Sequence, residues 1–234
     1  MNIDRLVQEI RHGALAVGVL AAIVAPGSMH AQTTGTITGI VSTNVAASAR
    51  PIRVTMDQRV CGDELPDEAI VAGRDGALAN AIVRVAGVKI RSAAGTPGIL
   101  NEKCRFAPRV QIVRPNATIT TTSSDPILHT TNAQTDTGRT IFNVAVPIAG
   151  VKINRSVSGA GLLRLSCNTH PWMRGWVLVT DEAAAVTGTD GRFTLSEVPA
   201  GTHEVAVWHE SLKGAPQKVM VTAGQTATID FALK

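Results

Sequence analysis

Tyrosine is absent and aromatic residues make up only 3% of the chain, so it has few rings on which nucleic-acid bases could stack. No dense Lys/Arg stretch occurs, and the formal net charge is only +4. Such an excess serves solubility or docking to an acidic partner and does not point to nucleic acid. Catalytic signatures are also missing. There is no G-x-S-x-G elbow and no phosphate-binding G-x-x-x-x-G-K. His203-Glu204 begins like a zinc-protease motif, but the next histidine is His209. In an alternating strand those two histidines stand ~20 Å apart, too far for one metal. The expectation is a protein that is not an enzyme. Past residue 31 no helical periodicity of useful length appears.

What the chain does have begins with Arg5 and Arg11, an apolar run over 13–26, and small residues ending at Ala31. That order is a secretory signal, predicted to be a helix over 1–31 with Gln32 as the mature start. The alternative, an uncleaved anchor, is disfavoured because the run is shorter than the ~20 residues a spanning helix needs. The expected location is periplasmic or secreted, with no stable membrane span after cleavage. No cysteine follows the cleavage site, so no lipid anchor is expected. Three cysteines are an odd number for an oxidising compartment. Cys61 and Cys104 are expected to pair, the alternative being two free buried thiols, which leaves Cys167 for another task.

Short runs with period-two alternation, separated by Gly, Pro, Asn and Asp, read as an all-β fold. The candidate strands are 36–42, 52–55, 81–85, 110–113, 118–122, 139–144, 161–165, 176–180, 192–195, 202–208, 217–221 and 226–232. Residues 67–73 could form one short turn of helix. A change of composition near 181–186 marks a boundary. Beyond it, Asp190-Gly191 supplies the positive-φ residue of a tight turn, and Pro199 precedes Gly201. Thr189 to Leu195, Val198 to Thr202 and Glu204 to Trp208 resemble the carboxypeptidase regulatory-like family of small β-sandwiches. Gly35 to Val41 and Leu78 to Val83 resemble that family's first strands. About 50 residues bury too little surface to stand alone. The N-terminal strands therefore either complete the C-terminal module around an insert, or two modules lie in tandem. The expected organisation is a signal over 1–31, an N-terminal β region over 32–103, a central domain over 104–181 and a regulatory-like module over 182–234.

The chemistry is concentrated in Cys167-Asn168-Thr169-His170-Pro171-Trp172-Met173. C-x2-H-x2-M between two strands lets one loop present a thiolate, an imidazole and a thioether, the graded softness that copper favours and zinc does not. A second imidazole is needed, and His129, about forty residues upstream after an alternating strand, is the candidate. This segment, with Phe106-Ala107-Pro108 and Asp125 to His129, resembles the cupredoxins of the amicyanin and plastocyanin kind. The likeness spans 104–181.

The resemblance implies a Greek-key β-sandwich and one type 1 copper held by His129, Cys167, His170 and Met173. Cupredoxins place Asn directly after the first histidine, whereas Thr130 stands here. The implied function is single-electron transfer, with Cys167 as the coupling ligand and His170 in an exposed turn as the electron access point. Pro171 and Trp172 would form an apolar docking surface for a redox protein such as a c-type cytochrome or a dehydrogenase. Two rival readings remain. One is an exported, non-catalytic β-sandwich that binds a partner, with a vestigial or structural metal site; the other is copper carriage by the same residues.

Overall fold

The computed structural model describes residues 33–90, 97–159 and 161–234. The expected signal segment, 1–31, lies outside them. From the amino end come β1 (Thr34–Thr43), β2 (Ile52–Arg53), the one-turn helix α1 (Gln58–Cys61), β3 (Glu64–Leu65) and β4 (Ile82–Lys89). The middle of the chain supplies β5 (Gly98–Glu102), β6 (Arg105–Ala107), β7 (Val110–Val113), β8 (Thr118–Ser123), β9 (His129–Thr135), β10 (Thr140–Val146), β11 (Ile153–Ser156), β12 (Gly161–Ser166) and β13 (Arg174–Val179). Last are β14 (Glu182–Val186), β15 (Arg192–Pro199), β16 (Gly201–Trp208), β17 (Gln217–Val221), β18 (Thr226–Thr228) and β19 (Phe231–Leu233).

β1 shows how the sequence makes these strands, since it is buried at every second residue from Gly35 to Thr43. It pairs antiparallel with β15 and parallel with both β18 and β19. At Gly39 a Cβ would stand 1.7 Å from the Ile229 carbonyl oxygen, so only glycine lets these chains approach. A second sheet runs β14-β4-β16-β17. Between the two sheets lie Ile37, Leu78, Val83, Phe193, Phe231 and Leu233. Full burial of each large side chain stabilises by about 1.5–3 kcal/mol. Strands from both ends of the chain thus share one core, which a 50-residue segment could not supply alone. The Asp190-Gly191 turn forms as expected, with Gly191 at φ 68°.

The intervening strands make two further sheets, β10-β9-β12-β13-β7 and β11-β8-β5-β6. Ile99, Phe106, Ile119, Leu165 and Val177 fill the space between them. The outer face of β13 packs Leu178 and Trp176 with Ile82 and Trp208, so the two sandwiches adhere directly. Arg109 secures the join by a two-pronged hydrogen bond to Glu210, at 2.6 and 2.9 Å. The protein is all-β, built as two β-sandwiches.

Several local expectations change. No helix forms at 67–73; short helical turns occupy 58–61 and 74–76 instead. The stretch 182–186 is a strand, although alanine has little β preference, because β4 offers an edge to pair with. The run 226–232 divides into β18 and β19 around Asp230, whose Oδ1 accepts the Ile40 N–H. The Thr-rich β8 keeps its alternation, with Ile119, Thr121 and Ser123 inward.

Candidate metal centre

β9 begins at His129, and β12 ends one residue before Cys167. Cys167 therefore sits where the loop leaves the sheet, alongside the start of β9, since Ser166 is in register with Asn132. The loop then folds tightly: the Met173 N–H donates to the His170 carbonyl at 3.0 Å, and Pro171 occupies the first corner of that turn. Met173 is buried in the same core cluster as Cys167.

The structure brings the donors of His129, Cys167 and His170 within 4.8 Å of one another. His170 Nδ1 lies 3.1 Å from His129 Nδ1 and 3.7 Å from Cys167 Sγ. Both rings are fully buried. Their outer nitrogens meet carboxylates: His129 Nε2 is 3.0 Å from Asp125 Oδ2, and His170 Nε2 is 2.9 Å from Asp57 Oδ2. An ionised carboxylate only accepts, so each Nε2 carries its proton. The two Nδ1 atoms then face each other beside the Cys167 sulfur, and two buried lone pairs at that distance call for a cation between them or, in its absence, a proton on one ring that is shared with the other and with the sulfur. Two imidazoles and a thiol beside a buried methionine fit copper in its softer coordination chemistry.

Asp125 is itself firmly held. Its Oδ1 accepts the Lys103 N–H and its Oδ2 the Cys104 N–H, each at 2.8 Å. Cys104 forms the disulfide with Cys61, and its carbonyl accepts the Trp172 indole N–H at 3.2 Å. On the sulfur side, the Thr130 N–H donates to Cys167 Sγ at 3.3 Å and the Thr130 hydroxyl at 3.6 Å. The same hydroxyl oxygen accepts the Asn168 N–H at 2.6 Å. Thr130 therefore braces the loop from the position where an asparagine was expected. Burial pushes the Cys167 thiol up, but hydrogen bonds from His129, from Thr130 and from the His170 backbone bring its pKa down to about 5. Such a group is a thiolate at neutral pH, the form that binds metal.

One sequence expectation is corrected. His170 is not in an exposed turn; residues 52–66 lie over it, and the Asp57 carboxylate covers the ring edge. Pro171 is exposed, while Trp172 is half-buried against Val54, Cys61, Leu65 and Cys104. Asp57 was missed because it stands 113 residues before His170 and no local pattern connects them. Asp125 was seen only as part of the stretch leading to His129, and its i, i+4 spacing to that histidine was the available signal.

Residues 176–234 match the carboxypeptidase regulatory-like domain family. No curated protein matches the chain significantly. Among solved structures, the chain is similar to a purple cupredoxin from Nitrosopumilus maritimus, with 21% identity, 36% of this chain and 99% of that one covered, and a TM-score of 0.33. Amicyanin from Paracoccus versutus gives 16% identity over 42% of this chain and 97% of its own, with a TM-score of 0.33. A copper-containing nitrite reductase from Thermus scotoductus gives 16% identity over 42% of this chain and 25% of its own, with a TM-score of 0.31. The carboxyl-terminal segment of the chain thus matches the carboxypeptidase regulatory-like family, and the similar solved structures, which cover about two fifths of this chain, include cupredoxins.

Proposed function

We propose that this protein is an exported type 1 copper protein that carries single electrons between periplasmic or secreted redox partners. The copper domain is then an insert in a regulatory-like sandwich whose first strands are β1 and β4. The observation that carries the reading is the meeting of two inward-facing Nδ1 atoms and the Cys167 sulfur, all buried. His129, Cys167 and His170 would hold the metal, with Met173 as the weak fourth ligand. Copper would supply a one-electron couple.

The protein's own groups do the rest. Asp125 and Asp57 fix which nitrogen of each ring faces inward, and a histidine ligand held this way keeps its orientation in both oxidation states. Thr130 donates to the sulfur and stabilises its negative charge. The closed core around Cys167 and Met173 excludes water and limits rearrangement. A partner such as a c-type cytochrome or a dehydrogenase would dock on exposed apolar residues next in sequence to the site. These are Pro171 beside His170, Leu128 beside His129 and Met56 beside Asp57, the last two being 45% and 43% exposed.

The test is the visible spectrum after addition of Cu(II) to the mature protein and to Cys167→Ser. An intense thiolate-to-copper band in the first and none in the second is expected. A colourless mature protein overturns the reading.

A further inference from the structure

The far side of the His170 ring meets a group that no copper ligand set requires. Asp57 starts α1 in the left-handed region, at φ 52°, and its carboxylate makes no hydrogen bond to the helix it precedes. An aspartate in that place can satisfy a free backbone N–H of the helix. Left-handed backbone is disfavoured for a non-glycine residue. Asp57 forgoes the first, bears the second, and turns its carboxylate to His170 Nε2 at 2.9 Å.

The segment that carries Asp57 is fastened over the site by independent contacts. Cys61, at the end of α1, is joined to Cys104 by the disulfide. Val54, Cys61 and Leu65 pack with Cys104 and against Trp172. Cys104 in turn donates its N–H to Asp125, the partner of His129. The outer nitrogens of both histidines therefore belong to one hydrogen-bonded frame. His170 is 0% exposed while the Asp57 side chain is 41% exposed, so the carboxylate is the outermost group at that ring edge.

We propose that Asp57 is a positioning residue of the metal centre, and that residues 52–66 form a disulfide-strapped cap sealing the His170 edge against solvent and competing ligands. This inference rests on the copper reading above and sharpens it. A sealed edge makes metal exchange slow, which suits a resident redox copper and opposes copper delivery. The carboxylate also places negative charge beside one ligand, which favours the higher oxidation state.

The experiment compares the mature chain with Asp57→Gly and Asp57→Asn, since both replacements accept the left-handed backbone. Three quantities are read: the rate at which bicinchoninate extracts Cu(I), the reduction potential, and the reaction of His170 with diethyl pyrocarbonate in metal-free protein, with His203 as control. Asp57→Gly is expected to speed extraction on the order of tenfold or more. Asp57→Asn keeps the hydrogen bond without the charge, so it should retain slow extraction while raising the potential. Loss of melting temperature alone, with extraction and potential unchanged in both variants, overturns the positioning role. In metal-free protein His170 should react slowly, and quickly in Asp57→Gly. Equal reactivity in the two overturns the cap. A chain that takes up no copper yet shows this protection refutes the copper reading and leaves the cap standing.

Discussion

The thiol of Cys167 offers the sharpest test of the site's electrostatics, because opposed effects meet on one atom. Burial alone would hold its pKa above the ordinary 9.0, and hydrogen bonds from His129, Thr130 and the His170 backbone instead carry it to about 5. Thr130→Val keeps the side-chain volume and the backbone N–H at 3.3 Å from sulfur, but deletes the hydroxyl donor at 3.6 Å. A hydrogen bond of that length contributes about 1 kcal/mol. At about 1.4 kcal/mol per pH unit, the midpoint should climb by roughly 0.7 of a unit. The assay is the ultraviolet thiolate absorbance of the metal-free protein as a function of pH. The expected order is the native protein near 5, Thr130→Ser beside it, and Thr130→Val above both. A native midpoint near 9, or no movement in Thr130→Val, refutes the reasoning. The same depression has a thermodynamic consequence. An acid whose folded pKa lies below its unfolded value contributes stability that is complete above the unfolded value and disappears as pH falls through the folded one. The advantage of the native protein over Cys167→Ala should therefore grow between pH 5 and pH 9.

Two other outcomes follow from the frame around the site. The Cys61–Cys104 disulfide spans a sequence separation of 43. Replacing both with alanine should cost about 4 kcal/mol in urea unfolding through the freed unfolded chain, and a loss under about 1 kcal/mol would refute the account. His209 is buried, and that burial, together with Arg109, holds its pKa below 6.5 against the pull of Glu210. Because the folded state resists a proton that the unfolded state accepts, native stability should fall with pH below 6.5, and less so in His209→Asn. Parallel acid slopes for the two proteins would contradict this.

The parts of the molecule legible in the sequence are those that depend on neighbours in the chain. The alternation in β1 and β16, the Asp190-Gly191 turn and the Cys167, His170 and Met173 spacing are local patterns, each with a geometric meaning over a few residues. What was hidden depends on pairing across long distances. β14 has the composition Glu-Ala-Ala-Ala-Val and becomes a strand only because β4 lies beside it. His129 follows the alternating strand β8 as expected, but the strand it opens was hidden, since β9 forms because β10 and β12 both supply partners. The choice between an insert and a tandem arrangement was likewise beyond local pattern. It depends on β1 pairing with β15, β18 and β19, and no residue in β1 announces a partner more than 150 positions away.

Asp57 shows why that hidden part bears on function. Read from the ligand loop alone, His170 is the natural point for electrons to enter, because the loop carries an exposed proline and a tryptophan at its tip. Placing a second carboxylate against that ring changes the consequence without changing the ligand set. The proposed metal donors stay the same, but the route to them would pass through the segment that carries Asp57, where the apolar side chain of Met56 faces solvent. A docking partner would then meet a composite surface drawn from 52–66 and from the ligand loop. The two are held together by Cys104, through its sulfur to the cap, its N–H to Asp125 and its carbonyl to Trp172. Because one residue joins all three, loosening the cap should be felt at both histidines, and the His170 response to Asp57→Gly is where that coupling is read most directly.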